Sequence, residues 1–357
     1  MSSAYADLYL KALKEPAIKK DLIFIAKTRN RFISISIPLL TFFFIVLGVT
    51  FSFFALPFTL LSISLFSISK IWAWYLAHDY AHNCGFKSKR VNTALGELAS
   101  TLNGLAFFSF DEYRNHHNRH HSEKVDLIGF DVQKFKTEHP LLYKTAAFLE
   151  RLYIPIFYYL IKILSVREKI KTGVRIEKMR AIAALVLYFT GYALALLYCV
   201  KAIIAWQISS VFRIHVIRFV DCFQHSFSQV QPENERIIKN DRRFEIENTF
   251  SIPVARKHTY LNLLILNFGY HSAHHSFPTC PWYMLPTLET RIIQGIDAEA
   301  DSSCLRERSL NFLDLLKLYH NHHLERIAND IEGSPYDLHG NFKIEKFTGA
   351  YTDKLLG

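Results

Sequence analysis

Residues 32–82 read FISISIPLLTFFFIVLGVTFSFFALPFTLLSISLFSISKIWAWYLAHDYAH, and the fold turns on this stretch. From Phe32 to Ser69 there are 38 residues without a charge. One bilayer crossing takes about 20 apolar residues. The run, continued by Ile71–Ala77, therefore predicts two membrane helices that turn near Pro57. Lys70 lies near the end of the second helix, where its stem can snorkel. The hairpin brings the chain back to the side it left and delivers His78-Asp79-Tyr80-Ala81-His82 at the membrane exit. Trp72, Trp74 and Tyr75, just before that exit, read as an aromatic belt.

Upstream lie Lys11, Lys14, Lys19, Lys20, Lys27, Arg29 and Arg31. A basic flank before a first span is expected on the cytoplasmic side, and no secretory signal precedes it. Downstream, Ala181–Val200 is a charge-free run of 20 residues and predicts a third span. Its partner, about Ala202 to Val220, contains Arg213, His215 and Arg218, which must face protein or a polar cavity. Leu98–Phe110 and Leu152–Ile161 are too short to cross and read as interfacial or re-entrant pieces. Residues 126–180 form a basic cytoplasmic connection, and 289–357 are charged and soluble in character.

Composition agrees with a membrane protein. Half of the 357 residues are apolar and 15% are aromatic, with 30 phenylalanines. The net charge of +10 sits beside apolar runs, and no basic stripe carries a nucleic-acid signature, so no nucleic-acid partner is expected. Cys84, Cys199, Cys222, Cys280 and Cys304 are odd in number and scattered, which argues against a disulfide framework or a zinc ribbon.

The chemistry lies in the grouping of the 17 histidines. His78 and His82 are an i, i+4 pair and share one helix face. His117, His120 and His121 have i, i+3, i+4 spacing and fit a helical arc of about 100°. His116 in place of His117 would widen the arc to about 140°, so His117 is the expected ligand and His116 its neighbour. His271, His274 and His275 repeat the spacing. A solvated basic patch would not repeat one three-histidine pattern twice and add a pair at a membrane exit. These eight imidazoles exceed what one tetrahedral zinc uses, so two metals share them. Imidazole suits iron, zinc, copper and nickel; oxygen chemistry beside a lipid favours iron. His225, one turn beyond Asp221 at the end of the fourth helix, is a ninth candidate. Asp221 is then an acceptor that fixes an imidazole tautomer, or a water-bridged ligand. His320, His322 and His323 lie on an amphipathic stretch and read as solvated, and His258 as a bystander.

The segments HDYAHNCGFKSKR (78–90), YRNHHNRHH (113–121) and NFGYHSAHHSFPTCPWYMLP (267–286) resemble the three histidine boxes of the membrane fatty acid desaturase superfamily. DCFQH (221–225) is similar to the extra histidine segment of bacterial-type members. The resemblance covers about residues 30–290. It implies an all-α integral membrane four-helix bundle, built from two transmembrane hairpins, with a cytoplasmic helical cap holding a di-iron site. It assigns ligand roles to His78, His82, His117, His120, His121, His225, His271, His274 and His275. It also implies dioxygen as cosubstrate, a membrane lipid acyl substrate and a separate electron donor. The three residues between His78 and His82 match acyl-lipid desaturases and related hydroxylases rather than stearoyl-CoA desaturases.

The expected organisation is a cytoplasmic N-terminal segment (1–32), a membrane domain (33–290) and a cytoplasmic C-terminal helical tail (291–357). The chain is expected to be a multi-pass protein of a bacterial inner membrane that faces its site to the cytoplasm. The expected reaction is introduction of a double bond into an acyl chain. A hydroxylase or carotenoid ketolase would carry the same boxes, and a metal transporter would instead pair polar residues in mid-span. No His-Pro-Gly-Gly segment and no G-x-G-x-x-G fingerprint occurs, so a ferredoxin or cytochrome is expected to supply electrons.

Overall fold

The computed structural model describes residues 2–127, 132–227, 229–230, 240–297 and 312–328. Helices dominate, and among the described residues the extended structure is one parallel pair of two-residue strands, β1 (Asp126–Leu127) with β2 (Gln229–Val230), and an isolated bridge. The chain forms two compact units that interleave along the sequence: residues 30–115 with 141–217, and residues 1–29 with 116–140 and 218–356.

The first of these units carries most of the membrane-crossing structure. Asn30 caps α3 (Arg31–Ser52) by accepting from the Phe32 and Ile33 amides, satisfying donors that a helix start leaves open. Residues 53–55 turn the chain, and α4 (Leu56–Ala81) begins with Pro57 in its first turn, where a missing N–H costs nothing. The structure thus places the turn where the sequence predicts it. The buried positions of α3 are Ser34, Thr41, Gly48 and Ser52, a stripe of small residues that lets α4 approach closely. A Cβ at Gly48 would stand 2.6 Å from the Phe66 ring. Three buried hydroxyls of α4 satisfy themselves on their own helix: Ser62, Ser67 and Ser69 bond the carbonyls of Phe58, Ile63 and Leu65.

The second hairpin is α10 (Arg175–Tyr198) and α11 (Val200–Asp221). All four helices are long and apolar enough to cross a membrane, but not equally enclosed. Of their most apolar windows, 17% is buried in α3 and 11% in α10, against 44% in both α4 and α11. The outer pair therefore presents Phe42, Phe43, Leu187, Phe189 and Leu197 outward. Leaving a Leu or Phe in water forfeits roughly 1.5–3 kcal/mol, so these faces call for lipid. Trp74 and Tyr75, read as an aromatic belt, are instead 5% and 4% exposed, inside the unit. Arg213 explains the difference: its guanidinium lies 5.6 Å over the Trp74 ring, which is drawn to a buried charge rather than to the bilayer surface.

The same unit includes α5 (Lys89–Leu102), α8 (Pro140–Arg151, from its second residue) and α9 (Ile156–Thr172). Salt bridges join these pieces: Glu97 of α5 pairs with Arg180 of α10, and Glu112 of α6 (Phe110–Arg119) with Lys169 of α9.

In the other unit α1 (Ser2–Lys14) and α2 (Pro16–Lys27) pack on α14 (Leu285–Asp297), and α1 also packs on α12 (Arg242–Glu247). Helix α7 (Val132–Glu138) meets α15 (Phe312–Ala328). On α15, His320 is exposed as expected, but His323 is 6% exposed and stacks on Tyr319 at 5.6 Å, which corrects its reading as solvated. The His322 side chain lies outside the described residues, as does Cys304.

Candidate metal centre

Seven of the nine expected ligands meet within one unit. His117 ends α6, His120 and His121 follow it, His225 lies beyond α11, and His271, His274 and His275 occupy the short helix α13 (His271–Ser276). Four are buried, His274 at 1% exposed, His275 at 2% and His225 and His271 at 6% each, and the three of the second box are half-buried.

Their ring nitrogens converge. Nε2 of His225 lies 2.7 Å from Nε2 of His271 and 3.2 Å from that of His120. Nε2 of His121 lies 3.1 Å from the Nε2 atoms of both His117 and His274. Two nitrogens held about 2.1 Å from one metal at right angles stand about 3.0 Å apart. The separations are those of neighbouring ligands on a shared ion. Two foci result, one of His117, His121 and His274, the other of His120, His225 and His275. His275 Nε2 is buried with no hydrogen-bond partner among the described residues, an expensive state for a polar atom unless a metal takes its lone pair. A buried, all-imidazole donor set of this kind fits borderline transition metals.

The far sides of the rings are held by acceptors that spacing alone did not reveal. Nδ1 of His275 meets Glu245 Oε1 at 3.0 Å, and Nδ1 of His120 meets the Val125 carbonyl at 3.0 Å and Asp126 Oδ1 at 3.3 Å. Arg242 binds the other Glu245 oxygen at 2.6 Å and also donates to the carbonyls of His275 and Ser276. One guanidinium thus ties the carboxylate to the end of α13. Such acceptors fix the tautomer and turn Nε2 inward. Glu245 and Asp126 sit on the short helix α12 and the two-residue strand β1, far in sequence from most of the imidazoles they serve. Only the closeness of Asp126 to the second box could have drawn attention to it.

A family model for fatty acid desaturases matches residues 51–304. The chain belongs to the fatty acid desaturase family. This makes it a membrane oxidoreductase of lipid acyl chains whose histidine clusters suit metal binding. No curated protein and no solved structure matches it.

In this desaturase-family chain the three boxes differ in backbone. In the first, α4 ends at Ala81, and His82 is its cap residue, with the His78 and His82 rings 5.3 Å apart and both buried in the membrane unit. In the second, the α-helix does not run through: α6 stops at Arg119 and His120–Lys124 is a π-helical turn, a rare local form that recurs at functional sites. The 100° helical arc predicted for this box therefore does not hold beyond Arg119, although the three rings still gather. His117 meets His121. The third box is a regular α-helical turn.

His225 is not on a helix extending α11, as the sequence predicts. The helix ends at Asp221, and His225 is held by an antiparallel bridge to Thr249, whose Oγ1 lies 3.3 Å from its Nδ1. The turn from Asp221 to His225 is therefore not helical. The carboxylates that meet imidazoles here are Asp126 and Glu245, and Asp221 is half-buried at the helix end.

Burial, and then the neighbouring imidazoles, push the pKa values of His225, His274 and His275 well below the ordinary 6.5. These rings are neutral at pH 7, ready to bind a cation. His120 goes the other way: burial pulls it down, but Asp126 and the Val125 carbonyl outweigh that and raise it. Burial also raises Glu245, against the opposing pull of Arg242.

Proposed function

We propose that this chain is an oxygen-dependent di-iron desaturase that introduces a double bond into a membrane lipid acyl chain. The observation that carries the reading is the convergence of seven imidazoles, six of them at nitrogen separations of 2.7–3.2 Å, in a chain of the desaturase family. His117, His121 and His274 serve one ion, and His120, His225, His271 and His275 the other. His78 and His82 are assigned to the same ligand set from the sequence pattern, and Asp221 remains a supporting acceptor on the same ground. Two irons bound there supply dioxygen activation for abstraction of hydrogen from unactivated methylenes.

What the chain itself does is hold and enclose. Glu245 and Asp126 orient His275 and His120, and Arg242 locks Glu245 against the end of α13. Phe227 stacks on His225 at 4.2 Å and on Phe244 at 5.9 Å, an apolar wall that excludes water on that side. Removing two hydrogens from adjacent carbons while dioxygen becomes two waters requires two electrons and two protons from outside. A ferredoxin or cytochrome partner supplies the electrons. The basic N-terminal flank supports a cytoplasmic site in a multi-pass protein of a bacterial inner membrane.

Expression in a host with a simple lipid profile tests the reaction. A new unsaturated acyl species, two hydrogens lighter, should appear only with oxygen and should vanish in the His274→Ala variant. A product heavier by one oxygen, with no loss of hydrogens, would replace desaturation by hydroxylation.

A further inference from the structure

Residues 249–252 form a strap that bonds on one side to the segment of His225 and on the other to the approach of the third box. Thr249 makes the bridge to His225, and the Phe250 amide donates to the Gln224 carbonyl at 2.8 Å. Two residues on, the Ile252 amide donates to the Gly269 carbonyl at 2.7 Å, just before α13. Ser272 Oγ closes the loop by donating to the Thr249 carbonyl at 3.2 Å. Gly269 permits the close approach of the two backbones. A Cβ there would stand 2.8 Å from the Ile252 carbonyl oxygen and 2.8 Å from Pro253 Cα.

Ser251 lies in the middle of this strap and faces Glu289 of α14. Its Oγ accepts from the Ser272 amide at 3.0 Å and donates to Glu289 Oε2 at 2.7 Å. The Ala273 amide donates to the same carboxylate oxygen at 3.3 Å. Both amides belong to the first turn of α13, where a helix leaves its donors open and favours a negative charge. Glu289 is not needed for the packing of its own helix. Leu285, Leu288, Ile292 and Ile296, all at most 1% exposed, fill the inner face of α14. The carboxylate is spent instead on the strap and on the helix that carries three imidazoles.

We propose that Glu289 is a positioning residue of the metal centre, locking residues 249–252 to the start of α13 through Ser251. The strap holds His225 on one side and the approach to His271 on the other. The lock therefore keeps these two rings in register, with their Nε2 atoms 2.7 Å apart. Without it, His225 and the third box shift against each other and the focus they share loosens. The far end of α13 is held twice, by Arg242 and by Tyr9 of α1, whose hydroxyl donates to the Ser272 carbonyl at 3.3 Å and lies 2.7 Å from Ser276 Oγ. The inference rests on reading the cluster as a metal centre, and not on which oxidation follows.

Titration of the full-length, metal-free protein in detergent with cobalt(II) tests this, because the visible d–d bands of cobalt report the geometry of its ligands. Glu289→Ala should weaken cobalt binding by about tenfold and shift the bands. Glu289→Gln, whose amide oxygen still accepts from Ser251 and Ala273, should restore both. Ser251→Ala should reproduce the loss. The double variant Ser251→Ala/Glu289→Ala should lose no more than either single one, since the two residues act in one chain of hydrogen bonds. Tyr9→Phe should lose less, because Arg242 still clamps that end. If Glu289→Ala does not fold, Ser251→Ala and Glu289→Gln carry the test. Unchanged binding in Ser251→Ala, a Gln variant as weak as the Ala variant, or additive losses would overturn the inference. So would a lower melting temperature with unshifted bands, which would make Glu289 merely structural. Each of these results leaves the metal centre standing, whereas a wild-type protein that takes up no cobalt would remove the centre and the inference together.

Discussion

His117, His120 and His121 repeat the spacing of His271, His274 and His275, yet the two boxes reach the cluster on different backbones. The third is a regular six-residue helix whose end is clamped by Arg242, with Glu245 behind His275. The second changes from α to π after Arg119, and its acceptors are the Val125 carbonyl and Asp126, just past the π turn. Equal spacing in sequence thus specifies which rings gather, while the path of the chain decides what supports them. The third box draws its support from another helix, and the second box from its own continuation.

The largest expected effect treats the boxes alike. His120→Ala and His274→Ala should each abolish activity and lower the iron content measured by elemental analysis, because each opens one focus. His320→Ala, exposed on α15, should change neither. If one box proved dispensable, the two foci would not be equivalent parts of one centre.

The next effect separates the boxes. Deleting Ser122 removes the extra residue that makes the turn π-helical and draws Val125 and Asp126 out of line with His120. Iron retention should fall, with the far-ultraviolet circular dichroism unchanged. Unaltered retention would show that the π turn is incidental to the second box.

Smaller losses come from the acceptors. Glu245→Gln and Asp126→Asn keep the size of the side chain but weaken the hold on an imidazole, and each should cost roughly 10- to 100-fold in metal affinity. In a double variant the losses should add, since the two carboxylates serve different rings. Strong non-additivity would mean that they act on one ring network.

Acidity gives the mildest test. His225, His274 and His275 have folded pKa values below the ordinary 6.5, so below that pH the unfolded chain binds protons that the folded chain refuses. Their contribution to stability is present above about pH 6.5 and is lost as the pH falls toward the lower folded values. The melting temperature of the metal-free protein should be level above neutrality and decline on acidification. His120 and Glu245, both raised, act in the opposite sense and should soften the decline rather than reverse it.

Much of this was legible in the sequence. The two hairpins followed from the uncharged runs and from Pro57, because bilayer thickness sets the length of a span independently of tertiary contacts. The boxes followed from spacing, since a short helical turn carries its own geometry. Features made by contacts between distant segments were not legible. Glu245 reaches His275 across thirty positions and His225 is held by a bridge to Thr249, and no periodicity encodes either. Trp74 and Tyr75 looked like an aromatic belt because composition near a span end cannot tell a lipid-facing ring from one folded over Arg213. His323 looked solvated because its partner ring, Tyr319, is polar only at its tip.

The central claim is that these imidazoles hold two irons. Metal analysis of anaerobically purified protein, combined with Mössbauer spectra after loading with iron-57, tests it most directly. The account predicts about two irons per chain in histidine-rich surroundings, with both signals diminished in His274→Ala. A single metal per chain, or full iron occupancy in His274→Ala, would contradict it.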